Sequence, residues 1–303
     1  MAGRPLYISL GWTIRDYAKR VWDNSGEDNV LFLAGGIAFN IMLAAVPFIL
    51  LLVWGATYIF GAFNSSVNAA ETVIATLDRL LPMQRGTSDA TIHSILNDLF
   101  KSRSSLGIYA AIGFVWFSTR LFGSLRTVLA NIFDIESERG IIEGKIFDVK
   151  ITLLASILFV LSMAVSTYIS LATSRGVTEL VARGVRNDVM GGVEYWVGRV
   201  LAFALLVQMF FALYKFLPIR RVRTSTAWVA AIFTGAMFEI ARELFGYYVD
   251  TFNPGSLYTG TLITLVVIVV WFYYAALIFI LGGEVGQVYE LRRTRKLQRE
   301  VFN

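Results

Sequence analysis

Apolar residues in this chain gather into blocks of twenty or more, separated by shorter polar stretches. Blocks of that length suit membrane-spanning helices, and their continuity excludes the short alternating segments of a membrane β-barrel. Lipid offers no partner to an unpaired backbone group, so the spans must be helical. The pattern predicts an all-α integral membrane protein with six transmembrane helices, over 35–60, 106–131, 151–173, 194–217, 226–249 and 257–283. Each is long enough for a hydrocarbon core of about 30 Å at roughly 1.5 Å per residue.

Between the blocks the periodicity changes to that of amphipathic helices. Leu10, Ile14, Tyr17 and Val21 form one apolar stripe, Val73, Ile74, Leu77 and Leu81 a second that Pro82 ends, and Ile92, Ile95, Leu96, Leu99 and Phe100 a third. Such helices either lie in the membrane interface or cap the bundle, and the pattern alone fits both. The expected organisation is an amphipathic N-terminal arm (1–30), a transmembrane domain (31–290) with extracytoplasmic amphipathic helices over 61–105, and a basic tail (291–303).

Composition agrees with that class. Of 303 residues, 56% are hydrophobic and 16% charged, and the mean hydropathy is +0.62. Soluble domains carry about 25% charged residues. The net charge of +5 does not imply nucleic acid, because membrane proteins concentrate Lys and Arg in cytoplasmic loops. With the N-terminus inside, 16 of the 27 Lys and Arg fall in cytoplasmic segments, seven in external ones and four within spans. Both termini are therefore expected in the cytoplasm.

The four intramembrane cations are Arg120, Arg126, Arg199 and Arg242. A charge at a helix centre costs about 2.5–3.5 kcal/mol on insertion scales and should face water or a partner. Arg120 falls near the middle of its span. At helical spacing it shares a stripe with Ser124, Thr127 and Asn131 that runs to the cytoplasmic end. Arg126 lies on another face, close enough to the end to reach the interface. Glu239, Arg242 and Glu243 project from one side of the fifth span, beside Gly235 and Gly246, and are the expected complement to Arg120. Asn40 and Pro47 share a face of the first span, where proline removes a backbone donor. Glu284 is expected at the cytoplasmic boundary, within reach of Arg126. Two readings of the buried charges stay open: structural pairing that sets helix register, and a pathway for a polar substrate.

Nothing suggests catalysis or a cofactor. Cysteine is absent and the one histidine, His93, stands at no ligand spacing. No phosphate-binding loop or nucleotide fingerprint is present. Ser162, Ser166 and Ser170 have no histidine base nearby in sequence, and helix–helix hydrogen bonding accounts for them.

The segments LAGGIAFNIMLAAVPFILLL, WFSTRLFGSLRTVLANIF, LYKFLPIRRVR and GTLITLVVIVVWFYYAALIFILGGEV, in that order, resemble the YihY/BrkB family over about residues 15–290. The likeness is most specific at Ala38 through Pro47, Asn131, Leu217–Pro218, Gly260, Trp271, Tyr273, Gly282 and Glu284. Ala44 and Ala45 stand where the family usually has a serine, and Thr259 where it commonly has a tyrosine. The resemblance implies a six-span bacterial inner-membrane protein linked to envelope integrity, virulence and lipid export. The ribonuclease label once attached to the family finds no support in these residues. The expected function is transport, or a part in transbilayer movement of lipid or another anionic amphiphile; the alternative is a non-catalytic membrane scaffold. Expected partners are membrane lipids, without nucleic acid, and a homo-oligomer is left open.

Overall fold

The computed structural model describes residues 6–62, 103–135, 143–154, 156–157, 187–220, 222–252 and 260–301. Residues 63–102, with His93 and two of the amphipathic stripes, lie outside them, as does the predicted third span beyond residue 157. The described residues contain helices and no strand. In chain order these are α1 (Leu6–Glu27), α2 (Val30–Ala62), α3 (Arg103–Ile132), α4 (residues 143–154), α5 (Asn187–Phe216), α6 (Thr224–Phe252) and α7 (Gly260–Val301).

Five of these helices are long and apolar enough to cross a membrane, at Val30–Leu51, Ile108–Ile132, Arg199–Phe216, Thr224–Val249 and Leu265–Thr294. They correspond to five of the six predicted spans; the remaining one begins inside α4 and runs out of the described residues. One boundary moves. α7 continues to Val301, so the basic tail extends the last helix. Leu291 through Gln298 are, Thr294 apart, good helix formers with no proline or glycine, which lets the helix run on past the apolar block.

α7 is the hub of the bundle. It packs against α2 on one side and α6 on the other, with further contacts to α1 and α3; α3 packs along α2, and α5 along α6. Apolar side chains gain little by leaving lipid for one another, so such contacts depend on close approach and van der Waals packing. Gly282 shows how close: a Cβ there would lie 1.8 Å from Thr234 Oγ1 and 2.6 Å from the Tyr214 hydroxyl. Tyr214 is fully buried, stacks on Phe279 with ring centroids 4.9 Å apart, and donates to the Phe279 carbonyl oxygen at 2.5 Å. Its hydroxyl also lies 2.7 Å from Thr234 Oγ1, which joins α5, α6 and α7 in one satisfied buried network. Such a network specifies a single packing because every member has its partner.

The amphipathic arm packs on α7. Tyr17 donates to the Val285 carbonyl oxygen at 2.5 Å, and Arg292 lies 5.5 Å from the centre of its ring. Asn24 donates to Gln287 Oε1 at 3.0 Å. α1 therefore docks on the C-terminal half of α7.

Candidate functional site

α2 and α3 bring together two of the predicted polar residues. Asn40 Nδ2 donates to Ser124 Oγ at 2.8 Å and to the Gly36 carbonyl oxygen of its own helix at 3.0 Å. Pro47 packs against α3 where Gly113 has no side chain; a Cβ there would sit 3.5 Å from that of Pro47. α2 runs through Pro47 without ending. Beside the Asn40–Ser124 bond, Arg120, Thr127 and Asn131 are exposed and Ser124 is half-buried. Thr127 donates back to the Gly123 carbonyl oxygen at 3.1 Å. The stripe read from helical spacing is thus an open polar seam along α3. Arg120 stands at its inner end, midway along the Ile108–Ile132 span.

The structure corrects the partnership expected for Arg120. Glu239 Oε1 lies 2.6 Å from Arg242 Nη2 and 3.8 Å from Arg199 Nη2, and Glu243 Oε1 lies 2.7 Å from Arg199 Nη2. The four charges form a network between α5 and α6. Of the two glycines beside this charged face, Gly235 packs against α5, where a Cβ would lie 2.6 Å from Val207 Cγ2, while Gly246 has open space around it. The physical reason is the order of packing, since α6 lies between α5 and α7 and α3 lies on the far side of α7. Helical spacing had identified the charged face of α6 but not the helix opposite it. The one signal available was Arg199, an intramembrane cation on the neighbouring span.

A second correction concerns Arg126 and Glu284. Arg126 does not reach Glu284. Its Nη1 lies 3.0 Å from Asp148 Oδ1 and donates to the Gly144 carbonyl oxygen at 3.2 Å, both on α4. The Asp148 side chain is 1% exposed and that of Arg126 16%. Asp148 sits over Gly123 of α3, where a Cβ would come within 3.3 Å of Oδ2. Arg126 is therefore the partly exposed half of an ion pair whose acid is buried. Asp148 carries no distinguishing signal in the sequence, because it precedes an apolar block and reads as part of a loop.

Glu284 is buried inside the protein. It is 0% exposed, and neither carboxylate oxygen has a hydrogen-bond partner. The Asp28 carboxyl and the Asn24 side chain lie beside it without completing a bond, and Asp134 acts on it from the end of α3. Left-handed residues at two helix ends place these acids. Asn29 (φ 51°) follows Asp28, and Asp134 (φ 49°) closes α3. There the Ile135 amide bonds the Ala130 carbonyl and the Asp134 amide that of Asn131, the paired bonds of a Schellman cap. Among the described residues no group of three His, Cys, Asp or Glu is arranged to hold a metal ion.

Gln208 of α5 is exposed and makes no hydrogen bond among the described residues. Between α3 and α4 lies a groove of about 550 Å³ with apolar walls that include Ile112, Val115, Trp116 and Val149, and with Lys145 as its one charged lining residue.

Comparison with known proteins decides the family, because the model of virulence factor BrkB matches residues 21–301. The chain belongs to the BrkB family. Among its relatives, the UPF0761 membrane protein of Alteromonas mediterranea is 25% identical over 304 residues, covering 98% of this chain and 97% of that protein. That of Ralstonia nicotianae is 26% identical over 289 residues, with 95% of this chain spanning only 61% of the longer relative. A Bacillus subtilis relative, 22% identical over 271 residues with 87% and 90% coverage, bears the name putative ribonuclease-like protein YfkH. No solved structure matches. Family membership and the apolar helices together make this a membrane protein.

Proposed function

We propose that the protein moves an anionic amphiphile across the bacterial inner membrane, with the α3 seam as the track for its head group and both termini in the cytoplasm. One observation carries this reading: Arg120 is exposed at mid-span, at the inner end of a seam formed by Ser124, Thr127 and Asn131 and bordered by Asn40. A guanidinium at that depth with no ion pair among the described residues suits an external anion, and its planar fork matches phosphate oxygens in a bidentate fashion. The acyl chains remain in lipid or in the apolar groove beside α4, where Lys145 supplies a second cation. Pro47 braces the seam by seating α2 on α3, and the Arg199–Glu239–Arg242–Glu243 network supports it from outside the track.

That network and the Arg126–Asp148 pair favour a second reading, a non-catalytic scaffold for envelope integrity whose charges only hold helices together. Transbilayer movement of labelled anionic and zwitterionic lipids in proteoliposomes separates the two. The transport reading expects movement above protein-free vesicles, reduced in Arg120→Lys and lost in Arg120→Leu with folding retained. Transport equal to that of empty vesicles favours the scaffold. Full transport by Arg120→Leu removes the seam as the track.

A further inference from the structure

Glu284 poses a chemical problem that the protein's own residues leave unsolved. Its carboxylate is sealed from solvent and neither oxygen meets a donor. An ionised carboxylate in such a place is strongly disfavoured unless a positive charge or a set of donors compensates it.

The surroundings deepen the deficit. Asp28 lies beside Glu284, and Asp134 adds a further acid. The last turn of α1 and the end of α3 meet here, and helix C-termini present partial negative charge. The nearby amides bond elsewhere, Asn24 Nδ2 to Gln287 Oε1 at 3.0 Å and Gln287 Nε2 to Asp134 Oδ2 at 2.9 Å, and neither completes a bond to Glu284. Nearby charged groups are committed too. Arg292 lies over the Tyr17 ring, and Glu290 accepts from Thr226 of α6. Among the described residues, no Lys or Arg forms an ion pair with Glu284.

We propose that Glu284 and Asp28 together bind one small monovalent cation, a proton or a sodium ion, where α1 docks against α7. One monovalent cation removes half of the negative charge of two neighbouring carboxylates, and no three-acid arrangement for a multivalent metal is present among the described residues. Asp28 is half-buried and Asp134 exposed, so the site has a path to water on the side of the α1–α2 corner. Occupancy offsets the repulsion between acids from α7, the α1–α2 corner and the end of α3, and so fastens the arm to the bundle. The site does not depend on lipid movement, since neither Arg120 nor its seam takes part.

The test is the thermal unfolding midpoint of the full chain in nanodiscs, in two series. One exchanges choline for sodium at constant ionic strength and pH; the other varies pH in choline alone. Each tenfold rise in the bound cation above its dissociation constant should raise the midpoint by about 3 °C. A rise with sodium identifies sodium; a rise with acidity alone identifies the proton. Glu284→Gln should abolish the response, and Glu243→Gln, in the distant network, should keep it. Asp28→Asn, at the partly exposed corner, gives the same reading if Glu284→Gln does not fold. A wild-type midpoint indifferent to both cations overturns the proposal, as does a wild-type response that persists in Asp28→Asn and Glu284→Gln.

Discussion

Arg120 and Arg126 stand six residues apart on α3 and meet opposite surroundings. Arg126 is paired with the buried Asp148, whereas Arg120 is exposed. Removing one partner of a buried pair leaves an uncompensated charge, which costs about 3–5 kcal/mol. Arg126→Leu should therefore lower stability by that order, and Arg120→Leu by less than about 1 kcal/mol. Denaturation of the two variants in the same detergent checks the order, and the reverse order would show that the pair is misassigned. Helical spacing places the two arginines on different faces, but it ranks them the other way. Burial depends on what lies across from each face, and for Arg126 that is a helix starting at residue 143.

At the scale of elements, the docking of α1 rests on few contacts and should respond to alkali. Burial raises the Tyr17 hydroxyl from 10.0 to about 12, with Arg292 acting in the opposite direction. A folded-state value above the unfolded one means that this contribution is complete below pH 10.0 and is lost as pH rises to about 12. A distance between labels on α1 and α7 should lengthen across that window, and Tyr17→Phe, which keeps the ring but has no proton to lose, should lack that component. The α2–α3 seam is a milder case. Ser124→Ala removes the acceptor of the Asn40 bond, and interhelical hydrogen bonds in membranes average about 0.6 kcal/mol. A loss well above 2 kcal/mol in the same denaturation assay would show that Ser124 does more than join two helices. Gly282 is less forgiving. A Cβ would meet Thr234 Oγ1 in the centre of the bundle, so Gly282→Ala should cost about 1–3 kcal/mol or more through overpacking.

At the scale of the whole molecule, the basic bias makes a prediction that needs no side-chain detail. With both termini cytoplasmic, a cysteine placed at Ser88 of this Cys-free chain should react with an impermeant reagent in intact spheroplasts, and one at Gln298 should not. Labelling of Gln298→Cys but not of Ser88→Cys would invert the topology and put the Glu284 site on the opposite side of the membrane.

The helices themselves were legible in one dimension because length and continuous apolarity are all that lipid demands of a span. The polar stripe of α3, Ser124 included, was legible too, because azimuth on a helix follows from spacing alone; that Asn40 of α2 bonds it was not. What no spacing carries is which helix stands opposite. Glu239 and Glu243 go to Arg199, and Arg126 goes to Asp148, because α5 lies against α6 and α4 approaches α3 over Gly123. The sealed carboxylate of Glu284 belongs to the same category. Its burial is made by an arm folded back from the other end of the chain and by two left-handed helix ends, a convergence of distant segments that only the tertiary structure decides.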